Sequence, residues 1–238
     1  MPNPILTLTE ENYLKAALQI SINEQTDWVS TGRLANKLGV SPGTVTSMLQ
    51  SLAKEKKIED GTRPPMVTYR PRGGARLTDE GKRLALRMLR RHRLIELFLV
   101  QTLKLTWDRV HEEAENMEHA VSDYLIDRID EFLGMPATDP HGDPIPTVDG
   151  NMRADRASAV SLALCNPGMH VRLVHVVNQT AEFLRYLSDS GMQLGTVGVV
   201  EENNRAAGVV TMVIDGKPIS MSQTVAESLL VEETLDDG

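Results

Sequence analysis

Ser30-Thr-Gly-Arg-Leu-Ala-Asn-Lys-Leu-Gly39-Val-Ser41-Pro-Gly-Thr-Val-Thr-Ser-Met-Leu-Gln-Ser-Leu52 is the stretch on which the reading of this chain turns. Ser30 and Thr31 can cap a helix whose apolar positions are Leu34, Ala35 and Leu38. Gly39 ends it, because glycine takes the left-handed conformation of a helix stop without steric cost. Val40 is expected as a buried turn residue. Ser41 then caps a second helix and Pro42 opens it, where a missing N–H is no loss. Val45, Met48, Leu49 and Leu52 give that helix one apolar face. Two helices joined by a short glycine turn are a helix-turn-helix; the alternative is an ordinary helical hairpin. The free face of the second helix carries Ser41, Gly43, Thr44, Thr46, Ser47 and Gln50. These are small or hydrogen-bonding residues that can approach phosphates and base edges.

The surroundings favour the first alternative. Residues 31–95 hold 15 Lys and Arg against 5 Asp and Glu, in a chain whose net charge is −8. A basic block inside an acidic chain is the electrostatic footprint of a nucleic-acid site, although a solvated basic face has the same composition. Ile58 to Leu77 reads as two short strands around a Gly/Pro-rich tip containing Arg63, Arg70, Arg72 and Arg76. Such a hairpin beside a helix-turn-helix is a wing, and Arg63 and Arg72 are taken as its DNA contacts.

Upstream, Thr9 before Glu10 and Glu11 predicts a capped helix over 10–22, with Tyr13, Leu14, Ala17, Leu18 and Ile20 at helical spacing. Downstream, Thr78-Asp-Glu-Gly81 opens a helix running to about residue 104. Another starts at Asp108 and runs to about Ala120, and Ser122 caps a third bearing Leu125, Ile126, Ile129 and Phe132. These helices carry more apolar surface than a small winged domain needs, which predicts a homodimer interface. Residues 134–150 form a Gly/Pro-rich loop, and Ala154–Leu164 is expected as a short helix. From Gly168 the period changes to alternation. It predicts strands at His170–Val177, 195–202, Val209–Ile214 and Ile219–Met221, a turn at Asp215-Gly216, a helix over 179–190, and an acidic tail.

The chain is therefore read as mainly α, with a winged helix-turn-helix over 1–80 and a helical metal-binding and dimerisation domain over 81–150. A linker (151–167) and a small β-rich domain (168–238) follow. Its 238 residues, 41% hydrophobic, suit globular cores. No apolar run approaches the ~20 residues of a membrane span. The opening Met1-Pro-Asn-Pro-Ile-Leu-Thr lacks a basic-then-apolar signal, and the single Cys165 fits a reducing compartment, so a cytoplasmic location is expected. Aromatic residues make up only 4%, which argues against base-stacking platforms.

The chemistry is concentrated in His111-Glu-Glu-Ala-Glu-Asn-Met-Glu-His119, two imidazoles and four carboxylates in nine residues. At about 100° per residue, His111, Glu115, Glu118 and His119 share one side of a helix. His92 and Glu96 have the same i,i+4 spacing on the preceding helix. Imidazole plus carboxylate without thiolate suits Mn2+, Fe2+, Co2+ or Zn2+. The bland alternative is a solvated acidic helix with incidental histidines. A metal-dependent hydrolase or a metal-storage protein is the functional alternative. However, position 115 is Glu, so the H-E-x-x-H pattern of zinc proteases is absent, and no nucleophile or positioned base accompanies the cluster. A helix-turn-helix activator sensing a small organic ligand is a third reading.

The order of winged helix, His92-Arg-Leu-Ile-Glu96, Val110-His-Glu-Glu-Ala-Glu-Asn-Met-Glu-His119, Ser122-Asp123 and Pro140-His-Gly-Asp-Pro-Ile-Pro146 resembles the diphtheria toxin repressor family, with its iron- and manganese-dependent regulators. The resemblance covers nearly the whole chain. It implies a homodimeric repressor, not an enzyme, that binds a double-stranded DNA operator when activated by Mn2+ or Fe2+, with Zn2+ or Co2+ able to substitute in vitro. It also implies that the β-rich tail is an SH3-like (FeoA-like) domain. By position, His92, Glu96 and His111 match the family's ancillary metal site, and Glu115, Glu118 and His119 its regulatory site. Asn12, before Tyr13, stands where the family takes a further ligand, usually Met or Asp. Glu115 replaces the Cys of iron regulators, and Lys15 stands where the manganese branch has a second carboxylate. Gln179 and Glu182 are the candidates for ligands lent by the SH3-like domain.

Overall fold

The computed structural model describes residues 6–58, 61–154 and 158–234. The end of the acidic tail and part of the helix expected over Ala154–Leu164 lie outside them. The described residues form two compact units. The first takes residues up to 91 together with 118–120 and 146–151; the second takes 92–117, 121–145 and the chain from 152 onward.

In the first unit, α1 (Leu8–Asn23) precedes α2 (Thr31–Leu38) and α3 (Pro42–Leu52). Helix α1 starts earlier than the spacing predicts, with Thr7 and not Thr9 as its cap. The reason is reciprocal: Glu10 N–H donates to Thr7 Oγ1 at 3.2 Å, and Thr7 N–H donates to Glu10 Oε2 at 2.9 Å, which only Thr7 can arrange with Glu10 at N3. The helix-turn-helix forms as read. Ser30 and Ser41 each accept a backbone N–H, from Arg33 and Thr44, and Gly39 sits at φ 65°. Val45, Leu49 and Leu52 are buried, joining Leu14, Leu34, Met66 and Leu89 in one core. Val40 is exposed, contrary to the expectation, because the left-handed Gly39 turns it outward.

The stretch expected as one wing holds two antiparallel ribbons. One pairs β1 (Lys56–Ile58) with β2 (Gly61–Arg63), and the other pairs β3 (Val67–Arg70) with β4 (Gly74–Leu77). Val29 adds a bridge to Ala75. That bridge requires Gly74, since a Cβ there would stand 2.2 Å from Val29 O. Arg70 and Arg76 lie over the Trp28 ring, 4.2 and 5.5 Å from its centroid. Arg72, at the tip of this second ribbon, is exposed and has φ 64°.

Arg63 does not belong to this surface. It is 1% exposed, and its Nη1 donates to Glu10 Oε1 at 2.9 Å. Its reading as a DNA contact is corrected: the guanidinium answers a buried carboxylate. The first unit also takes α4 (Asp79–Leu103) through Arg91.

In the second unit the remainder of α4 is followed by α5 (Val110–Met117) and α6 (Asp123–Phe132), around Leu94, Ile95, Val110, Ala114, Ile126 and Ile145. Tyr124, Leu125 and Phe132 of α6 are 76%, 49% and 70% exposed. A sheet then forms from β5 (Val160–Ser161), β6 (His170–Val176), β7 (Val197–Asn204), β8 (Val209–Ile214), β9 (Lys217–Ser222) and β10 (Leu229–Glu233). Short helices α7 (Ala181–Asp189) and α8 (Gln223–Glu227) accompany it. The spatial order is β5-β10-β6-β7-β8-β9, antiparallel throughout. The predicted turn joins β8 to β9, with Asp215 and Gly216 both at positive φ, as a two-residue hairpin requires. β5 comes from the stretch expected as linker, where Ser161 also starts a 3-10 turn over Leu162–Leu164.

The Glu10–Arg63 pair makes a direct stability test. Arg63→Met leaves a carboxylate buried without its partner and should cost about 3–5 kcal/mol, read from urea denaturation midpoints. Adding Glu10→Gln, which keeps an oxygen for the cap, should recover most of the loss.

Candidate metal centre

The candidate ligands fall into two groups, one in each unit. In the second unit, His92 and Glu96 lie one turn apart on α4, and His111 stands on the first turn of α5. His92 Nε2 and His111 Nδ1 are each 3.0 Å from Glu96 Oε1 and 3.1 Å from one another. The His92 and His111 rings meet edge to face. His92 and Glu96 are buried, while the His111 side chain is 54% exposed. Neighbouring donors bound at ~2.1 Å on an octahedral ion stand ~3.0 Å apart, so the spacing of these three atoms fits one face of such an ion. Two nitrogen lone pairs and a carboxylate crowded this closely repel unless a proton or a metal ion joins them.

The electrostatics show what holds the set together. Burial pushes the Glu96 carboxyl up, but the charge of His92 and hydrogen bonds from His111 and His92 outweigh it and hold the group well below the usual carboxylate range. His111 is pushed up to about 9, first by Glu115, whose Oε1 is 3.5 Å from Nε2, and then by Glu96. Glu115, read as a regulatory ligand, thus faces His111 on α5.

In the first unit, residues 118–120 follow the end of α5. His119 Nε2 is 2.9 Å from Asn12 Oδ1 and 3.5 Å from Glu118 Oε1, so the departure at Asn12 still brings an oxygen to the site. His119 Nδ1 is 2.8 Å from Glu11 Oε2, a partner the spacing did not single out. A carboxylate on Nδ1 holds the proton there and turns the Nε2 lone pair toward Asn12 and Glu118, the arrangement expected of a metal-binding histidine. The Nε2 nitrogen then faces the Asn12 oxygen and a carboxylate oxygen of Glu118. Glu118 is fully buried, and Lys15 Nζ sits 2.5 Å from its Oε1. The basic residue at position 15 does more than displace a carboxylate: it sets an amine nitrogen directly against Glu118.

Other predicted residues are placed as follows. Gln179 donates to Asp143 Oδ2 at 2.8 Å and to Val176 O at 3.2 Å, while Glu182, on the first turn of α7, is exposed. Thr44 and Ser47 are exposed on α3 and Thr46 is half-buried, while the Ser41 hydroxyl is engaged by Thr44. Asp139 and His141, which the reading passed over as loop residues, come within ligand distance of Glu96. His141 lies within the Pro140-His-Gly-Asp-Pro run and Asp139 just before it, but nothing in the spacing of that run ties either to Glu96.

Three family models cover most of the chain. Residues 5–58 match an iron dependent repressor N-terminal DNA binding domain. Residues 78–147 match an iron dependent repressor metal binding and dimerisation domain, and residues 160–233 match a FeoA domain. The iron-dependent repressor IdeR of Mycobacterium tuberculosis is 33% identical over 168 residues, 66% of this chain and 72% of IdeR. The diphtheria toxin repressor of Corynebacterium glutamicum is 28% identical over 236 residues, 94% of this chain and 96% of that one. A manganese-dependent transcriptional repressor in complex with manganese superposes with a TM-score of 0.78 at 36% identity, covering 94% of this chain and 100% of that one. ScaR with bound Zn2+ superposes with a TM-score of 0.71 at 29% identity, covering 94% and 99%.

The raised His111 makes ion binding at its group pH-dependent. Only the neutral imidazole ligates, so below about 9 an entering ion must expel a proton from His111. Affinity at this group should therefore climb as pH rises from 6 to 8.5, by up to ~tenfold per unit. Calorimetry in buffers of different ionisation heat should find a proton released; a flat profile would show that His111 is not a ligand.

Proposed function

As a member of the iron-dependent repressor family, this chain is a metal-dependent DNA-binding transcriptional repressor and not an enzyme, and we propose that Asn12, Glu118 and His119 hold Mn2+ or Fe2+ and thereby set its helix-turn-helix for an operator. The observation that carries this reading is that residues 118–120 belong to the same compact unit as α1, α2 and α3. Asn12, Glu11 and Lys15 all stand on α1, whose apolar side shares a core with the helix-turn-helix. Any change in how α1 is held against Glu118 and His119 therefore reaches the recognition helix through packed side chains.

A bound divalent ion would supply concentrated positive charge to these acceptors. Glu11 orients His119, Asn12 offers a neutral oxygen, and Glu118 brings the charge that Lys15 already faces. The ion favours the DNA-binding state only as far as this site binds it better in that state than in the other. His92, Glu96 and His111 form the ancillary set, with Glu115 beside His111. The donors are N and O throughout, which fits Mn2+ and Fe2+ and also admits Zn2+ or Co2+. Thr44 and Ser47 would meet the major groove and Arg72 a neighbouring phosphate. The exposed Tyr124, Leu125 and Phe132 on α6 favour homodimer formation. No helix of the described residues is long and apolar enough to cross a membrane. A DNA operator and a buried free Cys165 accord with the cytoplasm.

Gel shift on the protein's own operator should show binding strengthened by Mn2+ by ~5–150-fold and reversed by chelator. Glu118→Ala should abolish that gain. Equal binding with and without metal, or no binding to duplex DNA, would overturn the reading. Arg72→Asn, which tolerates the positive φ, should weaken binding to all sequences alike and reduce the salt slope by about one.

A further inference from the structure

We infer that Lys15 is an internal competitor for the regulatory ion: it holds the Glu118 oxygen that the ion needs, and giving that oxygen up sets the metal concentration at which the protein responds. The inference rests on reading Asn12, Glu118 and His119 as the regulatory site, and assigns that site a residue that tunes it without being a ligand.

One atom carries both contacts. Lys15 Nζ lies 2.5 Å from Glu118 Oε1, and the same oxygen is 3.5 Å from His119 Nε2. Two donors on one ion at ~2.1 Å each stand between ~3.0 and ~4.2 Å apart, so Oε1 and Nε2 are spaced as ligands of a single ion. A divalent ion on Oε1 would bring its charge within about 5 Å of the Lys15 ammonium. The two side chains are 6% and 0% exposed, so water screens little of the repulsion between the two cations.

Charge balance gives the contact its weight. Asn12 is neutral and His119 ligates as a neutral ring, so Glu118 is the one anion among the three proposed ligands. Lys15 offsets that anion. Arg91 sets a second basic group nearby, its Nη1 donating to Glu118 O at 3.5 Å. A dication therefore gains little from this site until Lys15 leaves it.

The residue type and its position suit the exchange. Lysine is a compact charge on a flexible stem and can swing away, unlike the planar guanidinium that Arg63 sets on Glu10. Lys15 and Asn12 stand three positions apart on α1 and share a face of it. Helix α1 is thus tied to the turn after α5 in either condition, by Lys15 itself without an ion and through Asn12 with one. What changes is which of its residues carries the tie.

The test measures Mn2+ affinity of the full chain by calorimetry, with His111→Gln in every protein so that the ancillary set contributes little. Lys15→Gln should bind Mn2+ about tenfold or more tighter, the effect of removing a like charge at this range. Lys15→Arg, which keeps the charge, should stay close to the parent. In gel shifts the Mn2+ concentration for half-maximal operator binding should fall for Lys15→Gln by the same factor. A merely structural pair gives the opposite sign, so Mn2+ binding by Lys15→Gln that is unchanged or weaker would overturn the inference. Undiminished Mn2+ binding by Glu118→Ala would instead remove the reading on which it rests. Melting curves in chelator confirm that each variant is folded. A second measurement uses the unaltered chain: acylation of Lys15 by an amine-reactive ester, read by mass spectrometry, should be slow in chelator and several-fold faster with Mn2+. Equal rates would also overturn the exchange.

Discussion

A carboxylate taken out of water must be answered by positive charge, and among the described residues three glutamates are buried, each answered differently. Removing the partner of such a group leaves a penalty of several kcal/mol, far more than a surface ion pair is worth. Glu10 is met by the guanidinium of Arg63, a fixed charge that never titrates, and the pair ties α1 to β2. Glu118 is met by the ammonium of Lys15. Glu96 is met by imidazoles, which can exchange a proton for a metal ion. The series runs from a permanent structural cation to an exchangeable one.

The same ordering bears on the regulatory site proposed above. The turn after α5 adds a histidine and a buried carboxylate to the unit that holds α1, the helix-turn-helix, the ribbons and the start of α4. With Lys15 in place, Glu118 is not an open negative charge when no ion is bound. On the reading proposed above, a bound ion would act by redistributing Asn12, Glu118 and His119 around a carboxylate that Lys15 already faces.

What could be read from the residues follows the range of the interactions. Ser30, Gly39, Ser41 and Pro42 act on backbone groups within four positions, so their effects were legible. Asp215-Gly216 was equally plain, because a two-residue hairpin needs positive φ at both positions. Arg63 was misread because its fate is set by Glu10, 53 positions away; in a basic block nothing local separates a buried arginine from an exposed one. The cap of α1 shifted because Glu10 serves the cap with one oxygen and Arg63 with the other. β10 was missed because Leu229–Glu233 follows a short helix without an alternating pattern, and pairing with β5 and β6 decides it. His92, Glu96, His111, Glu118 and His119 were visible as spacing. Asp139 and His141 were hidden because a Gly/Pro-rich loop has no period to show which way a side chain points.

The stacking of Arg70 and Arg76 on Trp28 has a consequence for how the winged surface would meet a polyanion. A free arginine samples many rotamers, and fixing one on docking forfeits ~0.5–1.5 kcal/mol of entropy. Here the indole face already holds two guanidinium groups in place, at 4.2 and 5.5 Å. Their outer N–H edges are presented before any partner arrives. Most of the ordering is done during folding, so the surface is closer to a rigid template than to a brush of mobile charges. Trp28 is in this sense the splint of the wing.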